Sequence, residues 1–288
     1  YSARPQTRLP EFDKEFIIQR NIPIASYELK LKLPKNLFFR SKLYNHADIQ
    51  PIVEENSYSK ILTFAFKNIP AFEALPYDPP FNDCAARLHI SSMKDWDSFR
   101  DWLERIMKDS GAIGPETASL AQKLTASANN DAEKVRAIYE FLCELRYDTT
   151  PIGSRAFRPR LPKEVCEERY GDCKDKANAL IAMAGSLGVK GYIALVNRFS
   201  STDCDFPGWQ FNHALAFFPK LQGYENGLWC DATDGSTPFA SLPPGDIGRT
   251  AFIMLDKSFE FGKIIPPDNA ENSLSEEIEI TILPENRA

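Results

Sequence analysis

Histidine is the scarce residue of this 288-residue chain, which holds three: His46, His89 and His213. Chemistry that needs an imidazole base therefore has few places to look. The six cysteines (Cys84, Cys143, Cys166, Cys173, Cys204, Cys230) form no C-x-x-C pair and no cluster with histidine. That excludes a zinc-ribbon pattern and the dense disulfide framework of a small secreted domain. A single bridge such as Cys204 to Cys230 is compatible with the spacing, and isolated thiols are the simpler reading of most of them. A loop of the D-x-D-x-D-G type is also missing, so nothing points to a calcium activator. No apolar run approaches the roughly 20 residues that span a bilayer. There is no Lys/Arg cluster interleaved with aromatics, and 34 basic against 40 acidic residues leave a net charge of −6. Nucleic acid and anionic membranes are thereby set aside as main partners. Internal repeats and low-complexity segments are absent.

What is present is ordinary globular material, 43% hydrophobic and 26% charged, enough for two modest domains with separate cores. Residues 27–33 (Tyr-Glu-Leu-Lys-Leu-Lys-Leu) alternate apolar and charged side chains, and Leu62, Phe64 and Phe66 repeat that period. Residues 86–90 offer another strand, and Pro70, Pro76, Pro79 and Pro80 punctuate the connections. We read residues 1–93 as a sandwich-like antiparallel β-domain, in which His46 and His89 are ordinary surface or core residues.

From Asp95 the period changes to helical. Trp96, Phe99, Trp102, Leu103, Ile106 and Met107 share one face, and Pro115 suits the first position of a second helix. Asn130 and Glu133 resemble a capping box ahead of a stripe of Val135, Ile138, Tyr139 and Leu142. Three strand-like runs, 191–197, 212–218 and 227–231, come later in the chain. Residues 275–283 alternate again, as either a closing strand or the opening of another β-domain.

The run Arg169-Tyr170-Gly171-Asp172-Cys173-Lys174-Asp175-Lys176-Ala177 carries the most information. A glycine turn leads into an apolar helix (Ala177, Leu180, Ile181, Ala184, Leu187, with Gly188 to stop it), and Cys173 stands in its first turn. Unpaired N–H groups and the positive end of the helix dipole favour the thiolate there. Asp172 and Asp175 read as cap and solvated residues of the helix start, and Lys174 and Lys176 as surface charges. In the strand at 212–218, His213 shares a face with Leu215 and Phe217; in that at 227–231, Asp231 shares one with Trp229. If the two strands form a hairpin, Asp231 reaches one imidazole nitrogen while the other faces Cys173. Nucleophile, base and orienter would then stand in line.

The blocks Gly171-Asp172-Cys173-Lys174-Asp175, Asn212-His213-Ala214 and Trp229-Cys230-Asp231-Ala232-Thr233 resemble the three motifs of the transglutaminase-like, papain-related superfamily. The likeness is greatest to its bacterial branch with a β-rich domain in front. It implies an α+β fold: residues 1–93 as the β-domain, 94–256 as a core with a helical lobe and an antiparallel sheet, and 257–288 as a C-terminal strand segment. It also implies Cys173 as nucleophile, His213 as base and Asp231 as orienter, with no metal and no cofactor. Tyr147, Tyr170, Trp209 and Gln210 are the candidates for the second oxyanion donor or for substrate contact. Tyr147, taken to end the preceding helix, is the first choice. The implied activity is thiol-dependent acyl transfer on a peptide or protein substrate, with hydrolysis favoured over amine cross-linking and the cell envelope or periplasm over the cytoplasm. The rival reading is a peptide- or glycan-binding module with a vestigial triad.

Overall fold

The computed structural model describes residues 12–76, 78–148, 157–265 and 275–279. The alternation at 27–33 forms part of β2 (Ile24–Pro34), which pairs antiparallel along its length with β5 (Ser59–Ile69). β4 (Ile52–Glu55) flanks β5 on its other side. A second three-stranded sheet is built from β1 (Asp13–Ile17), β3 (Arg40–Tyr44) and β6 (Arg87–Ser91), with β6 in the middle; the one-turn helix α1 (Phe81–Cys84) precedes it. Leu33, Leu62, Phe64 and Phe66 from one sheet and Leu88 and Ile90 from the other belong to a single buried apolar cluster. Strands β1, β3 and β4 escape a sequence reading because Asp13–Ile17, Arg40–Tyr44 and Ile52–Glu55 are short and carry no clean alternation.

The helices follow in the expected places. Asp95 caps α2 (Trp96–Met107), its carboxylate accepting the Ser98 N–H at 2.7 Å. Pro115 opens α3 (Pro115–Leu124), and the Asn130 side chain caps α4 (Asp131–Cys143). The capping pair closes one residue earlier than expected: Glu133 accepts from the backbone N–H of Asn129, at 2.7 Å. A short helix α5 (Pro162–Glu168), unforeseen in the sequence, leads to α6 (Cys173–Ser186). Between them the two-residue strands β7 (Arg146–Tyr147) and β8 (Tyr170–Gly171) run parallel.

The remaining strands, β9 (Tyr192–Val196), β10 (His213–Phe218), β11 (Leu228–Cys230), β12 (Thr250–Met254) and β13 (Phe259–Lys263), form one antiparallel sheet in the order β11-β10-β9-β12-β13. Because β13 pairs with β12, the sheet runs past residue 256, where the sequence suggested an end. Helix α6 lies on one face, with Ala177, Leu180 and Ala184 in the same buried cluster as Ala214, Ala216 and Phe218 of β10. Leu215 and Phe217 point the other way, into a separate cluster with Val196 and Ile253. Residues 275–279 have no regular structure, and 280–283 lie outside the described residues.

The hairpin that delivers Asp231 depends on one glycine. Gly227 has φ +81°, and a Cβ there would stand 2.5 Å from Cε2 of Phe217, whose ring packs on Trp229 at 4.3 Å between centroids. Gly227→Ala is expected to cost about 1–3 kcal/mol, read as a lower urea midpoint at unchanged m. An unchanged midpoint would mean that the turn relaxes freely.

Candidate active site

The start of α6 is held by a reciprocal box. Asp172 accepts the Asp175 N–H at 3.1 Å, and Asp175 accepts the Asp172 N–H at 3.2 Å and the Arg160 N–H at 2.8 Å. Gly171 permits this closeness, since a Cβ there would lie 2.9 Å from that of Asp175. Asp175 thus caps the helix as expected, but it is buried rather than solvated. The box leaves Cys173 half-buried at the first helical position, where the positive end of the helix dipole favours a thiolate.

His213 opens β10, at 6% exposure. The β10–β11 register pairs Ala216 with Cys230, so Asp231 lies one step past the strand and reaches His213 diagonally. Their contact, Nε2 to Oδ2, is 3.0 Å. The Cys173 side chain lies close enough to the same imidazole to act on its protonation, and since Nε2 faces the carboxylate, Nδ1 is the nitrogen left for sulfur. Burial by itself would push the His213 pKa down; the hydrogen bonds and charges of Asp231 and Cys173 outweigh it and raise the ring to about 9. Burial would likewise raise Asp231, yet His213, Thr233 and Arg198 hold that carboxyl well below the usual range. The structure therefore brings the three sequence-predicted residues together.

Of the four other candidates, Tyr147 lies nearest in role to Cys173, whose charge acts on it. It does not end α4, which stops at Cys143; it sits on β7 opposite Gly171, near enough to Cys173 for the two groups to influence each other's charge. Burial and the neighbouring Cys173 and Asp172 charges push its pKa up, so it stays a donor. Tyr170 lies under two guanidinium groups, those of Arg160 at 4.3 Å and Arg146 at 5.2 Å. Trp209 belongs to an aromatic cluster, with Phe157 at 4.5 Å and Phe99 at 5.5 Å between centroids. Gln210 spends its amide on the 203–206 loop: its oxygen accepts the Asp203 N–H (2.8 Å), and its nitrogen donates to the carbonyls of Asp203 (2.9 Å) and Phe206 (2.6 Å).

Around these three residues stand others whose contacts no sequence pattern announces, Arg198 and Asp246 above all. Thr233 donates its N–H (2.9 Å) and hydroxyl (2.6 Å) to Asp231 Oδ1. Arg198 pairs with Asp231 Oδ2 and forks onto Asp246, Nε to Oδ1 at 2.6 Å and Nη2 to Oδ2 at 2.8 Å. His213, Asp231 and Asp246 offer ligand atoms within 4.8 Å of one another, and the guanidinium is the cation that the two carboxylates share. Lys174 pairs with Asp172 beside the helix start. Lys176, expected at the surface, is instead buried, with Nζ on the carbonyls of Leu145 (2.7 Å) and Ala232 (3.0 Å). All six cysteines are free thiols, so Cys204 and Cys230 are not bridged. His89 is a core residue bonded to Asp13 at 3.1 Å, and His46 packs edge-on against Phe66 at 5.5 Å.

The family model of the transglutaminase-like superfamily matches residues 118–218, a span that holds both Cys173 and His213. Among solved structures, a candidate protease from Parabacteroides distasonis aligns with a TM-score of 0.71 at 19% identity, over 89% of this chain and 48% of its own. The chain thus spans about half the length of that protein, and the likeness establishes the fold. A candidate cysteine protease from Cytophaga hutchinsonii aligns at 13% identity over 77% of this chain and 78% of its own, with a TM-score of 0.34. Legionella pneumophila LapG aligns at 16% identity over 59% of this chain and 91% of its own, also with a TM-score of 0.34. No curated protein matches the chain at a significant level. No helix among the described residues is long and apolar enough to cross a membrane.

Proposed function

From a chain whose residues 118–218 carry a transglutaminase-like core, we propose a cysteine peptidase or amidase that works through Cys173, His213 and Asp231. The observation that carries this reading is a buried imidazole held by a carboxylate at 3.0 Å, with the Cys173 thiol at a helix start beside it. His213 takes the thiol proton, and the sulfur attacks the carbonyl carbon of a peptide or carboxamide. The resulting oxyanion is received by the Cys173 backbone N–H and the Tyr147 hydroxyl. The imidazolium then gives its proton to the departing amine, leaving an acyl-thioester. Water, deprotonated by His213, attacks the thioester; the acid leaves and the thiol is restored. Asp231 keeps Nε2 protonated and stabilises the imidazolium. The description of the Parabacteroides distasonis protein as a candidate protease supports water over an amine as acceptor. No step calls for a cofactor. An envelope location goes with this reading, through the bacterial branch that the motifs resemble.

The test needs no known substrate. Iodoacetamide is expected to alkylate Cys173 at least about tenfold faster than the other five thiols. A peptide-library assay should then find hydrolysis that Cys173→Ala abolishes. Since the leaving amine needs the imidazolium, activity should fall as pH rises through about 9, the value to which Asp231 and Cys173 lift His213 against burial. Uniformly slow alkylation, with no turnover of any peptide, would leave a binding module with a vestigial triad.

A further inference from the structure

Asp231 has two oxygens and four donors. Thr233 occupies Oδ1 twice, at 2.9 and 2.6 Å, while Oδ2 takes both His213 Nε2 at 3.0 Å and the Arg198 guanidinium. A lone cation on the oxygen that serves the imidazole would drain the charge that oxygen offers to it. Asp246 cancels that effect. It is fully buried (0% exposed) and forks onto Arg198 at 2.6 and 2.8 Å, so the guanidinium arrives already neutralised. Without Arg198, on the other hand, two buried carboxylates would face each other beside the ring, and one would have to turn away or take up a proton.

The frame around the pair is equally specific. The backbone N–H of Arg198 donates to Asn212 Oδ1 at 3.0 Å, next to His213, and its carbonyl accepts from Arg249 at 2.9 Å. Asp246 is set by the turn 243–249, its N–H on the Pro243 carbonyl at 3.0 Å and its carbonyl accepting the Arg249 N–H at 3.2 Å. We propose that Arg198 and Asp246 form a built-in, self-neutralised clamp that positions the Asp231 carboxylate on His213, which makes both of them positioning residues of the thiol site. This rests on the triad reading above.

The charged and titratable groups around the ring and its carboxylate come from every packed element: Cys173 and Lys176 from α6, Tyr147 from β7, Tyr139 and Cys143 from α4, Arg198 after β9, Cys230 from β11, and Asp231, Asp234 and Asp246 from the loops after it. Among them, only Arg198 and Asp246 form a pair of opposite charges that can be removed singly or together without touching the sulfur, the ring or Asp231.

With three histidines in the chain, the His213 ring can be followed by NMR in histidine-labelled protein, its signal assigned by loss in His213→Gln. Asp246→Asn strands the Arg198 charge beside the imidazolium and is expected to lower the His213 midpoint by about one pH unit. The double variant Arg198→Met/Asp246→Asn removes both charges and should recover part of that shift, the remainder being the alignment of Asp231 that the clamp supplies. Arg198→Lys keeps the charge without the fork: the midpoint should fall by less than in Asp246→Asn, while iodoacetamide alkylation of Cys173 slows about tenfold as Asp231 loses its alignment. An unmoved midpoint in Asp246→Asn, no recovery in the double variant, or undiminished alkylation in Arg198→Lys would each overturn the clamp. If Cys173 of the parent protein alkylates no faster than the other thiols, the enzyme reading fails separately, whatever the midpoints show.

Discussion

The Asp231→Asn protein is expected to turn over about 10³- to 10⁴-fold more slowly than the parent, and to lose stability as well. An asparagine is often taken as a mild replacement for an orienting carboxylate, because its carbonyl oxygen can still accept from a histidine. Here it cannot be mild. Both oxygens of Asp231 face donors only: Thr233 N–H and hydroxyl on Oδ1, His213 and Arg198 on Oδ2. Whichever way the amide turns, its NH₂ meets two donors. With the NH₂ towards His213, the imidazole must flip tautomer and loses its base nitrogen towards Cys173. With it towards Thr233, a buried turn loses its acceptor, at about 1–3 kcal/mol. Turnover, urea unfolding and the His213 titration measured on one preparation would show the coupled loss. Near-parent turnover in a folded Asp231→Asn protein would remove Asp231 from the orienting role.

The second large effect is expected at Lys176, which has no place in the chemistry. Lys176 lies one turn after Cys173, is 1% exposed, and donates to Leu145 O at 2.7 Å and Ala232 O at 3.0 Å. Those carbonyls belong to the segment that leads into Tyr147 and to the residue after Asp231. One ammonium therefore ties α6, which begins at Cys173, to the segment before β7 and to the turn after Asp231. Burial pulls its pKa down, and the Cys143 and Asp231 charges partly hold it up. Lys176→Met keeps the length of the side chain but leaves two buried carbonyls without donors. A loss of about 2–4 kcal/mol is expected from urea unfolding. Alkylation of Cys173 should slow even where the variant is fully folded, because Tyr147 and Asp231 are no longer tied to α6. A Met variant as stable and as reactive as the parent would show that water or neighbouring groups satisfy those carbonyls.

Lys176 also marks where reading the sequence stops. A lysine early in a helix is a surface charge by composition alone, since the penalty for burying one is large unless partners are supplied. Its partners lie 31 and 56 residues away, and nothing local announces them. Arg198 is the same case, paired across 33 residues with Asp231 and across 48 with Asp246. Gln210 and Trp209 were singled out because they stand just ahead of His213 in the sequence. In the fold, one clamps a loop and the other fills an aromatic cluster.

What the order of residues determined by itself is everything governed by spacing within one element. The alternation at 27–33, the apolar stripes of α2, α4 and α6, and the glycine-and-aspartate start under Cys173 all follow from local spacing. That spacing, with the three motif blocks, was enough to nominate the triad. Tertiary structure alone decided which further side chains converge on it: Arg198 and Asp246 behind the carboxylate, and Lys176 under the helix. These partners depend on the strand order β11-β10-β9-β12-β13 and on how chain ends leave that sheet. Pairings between charges far apart in sequence are set by that order, and no local pattern encodes it.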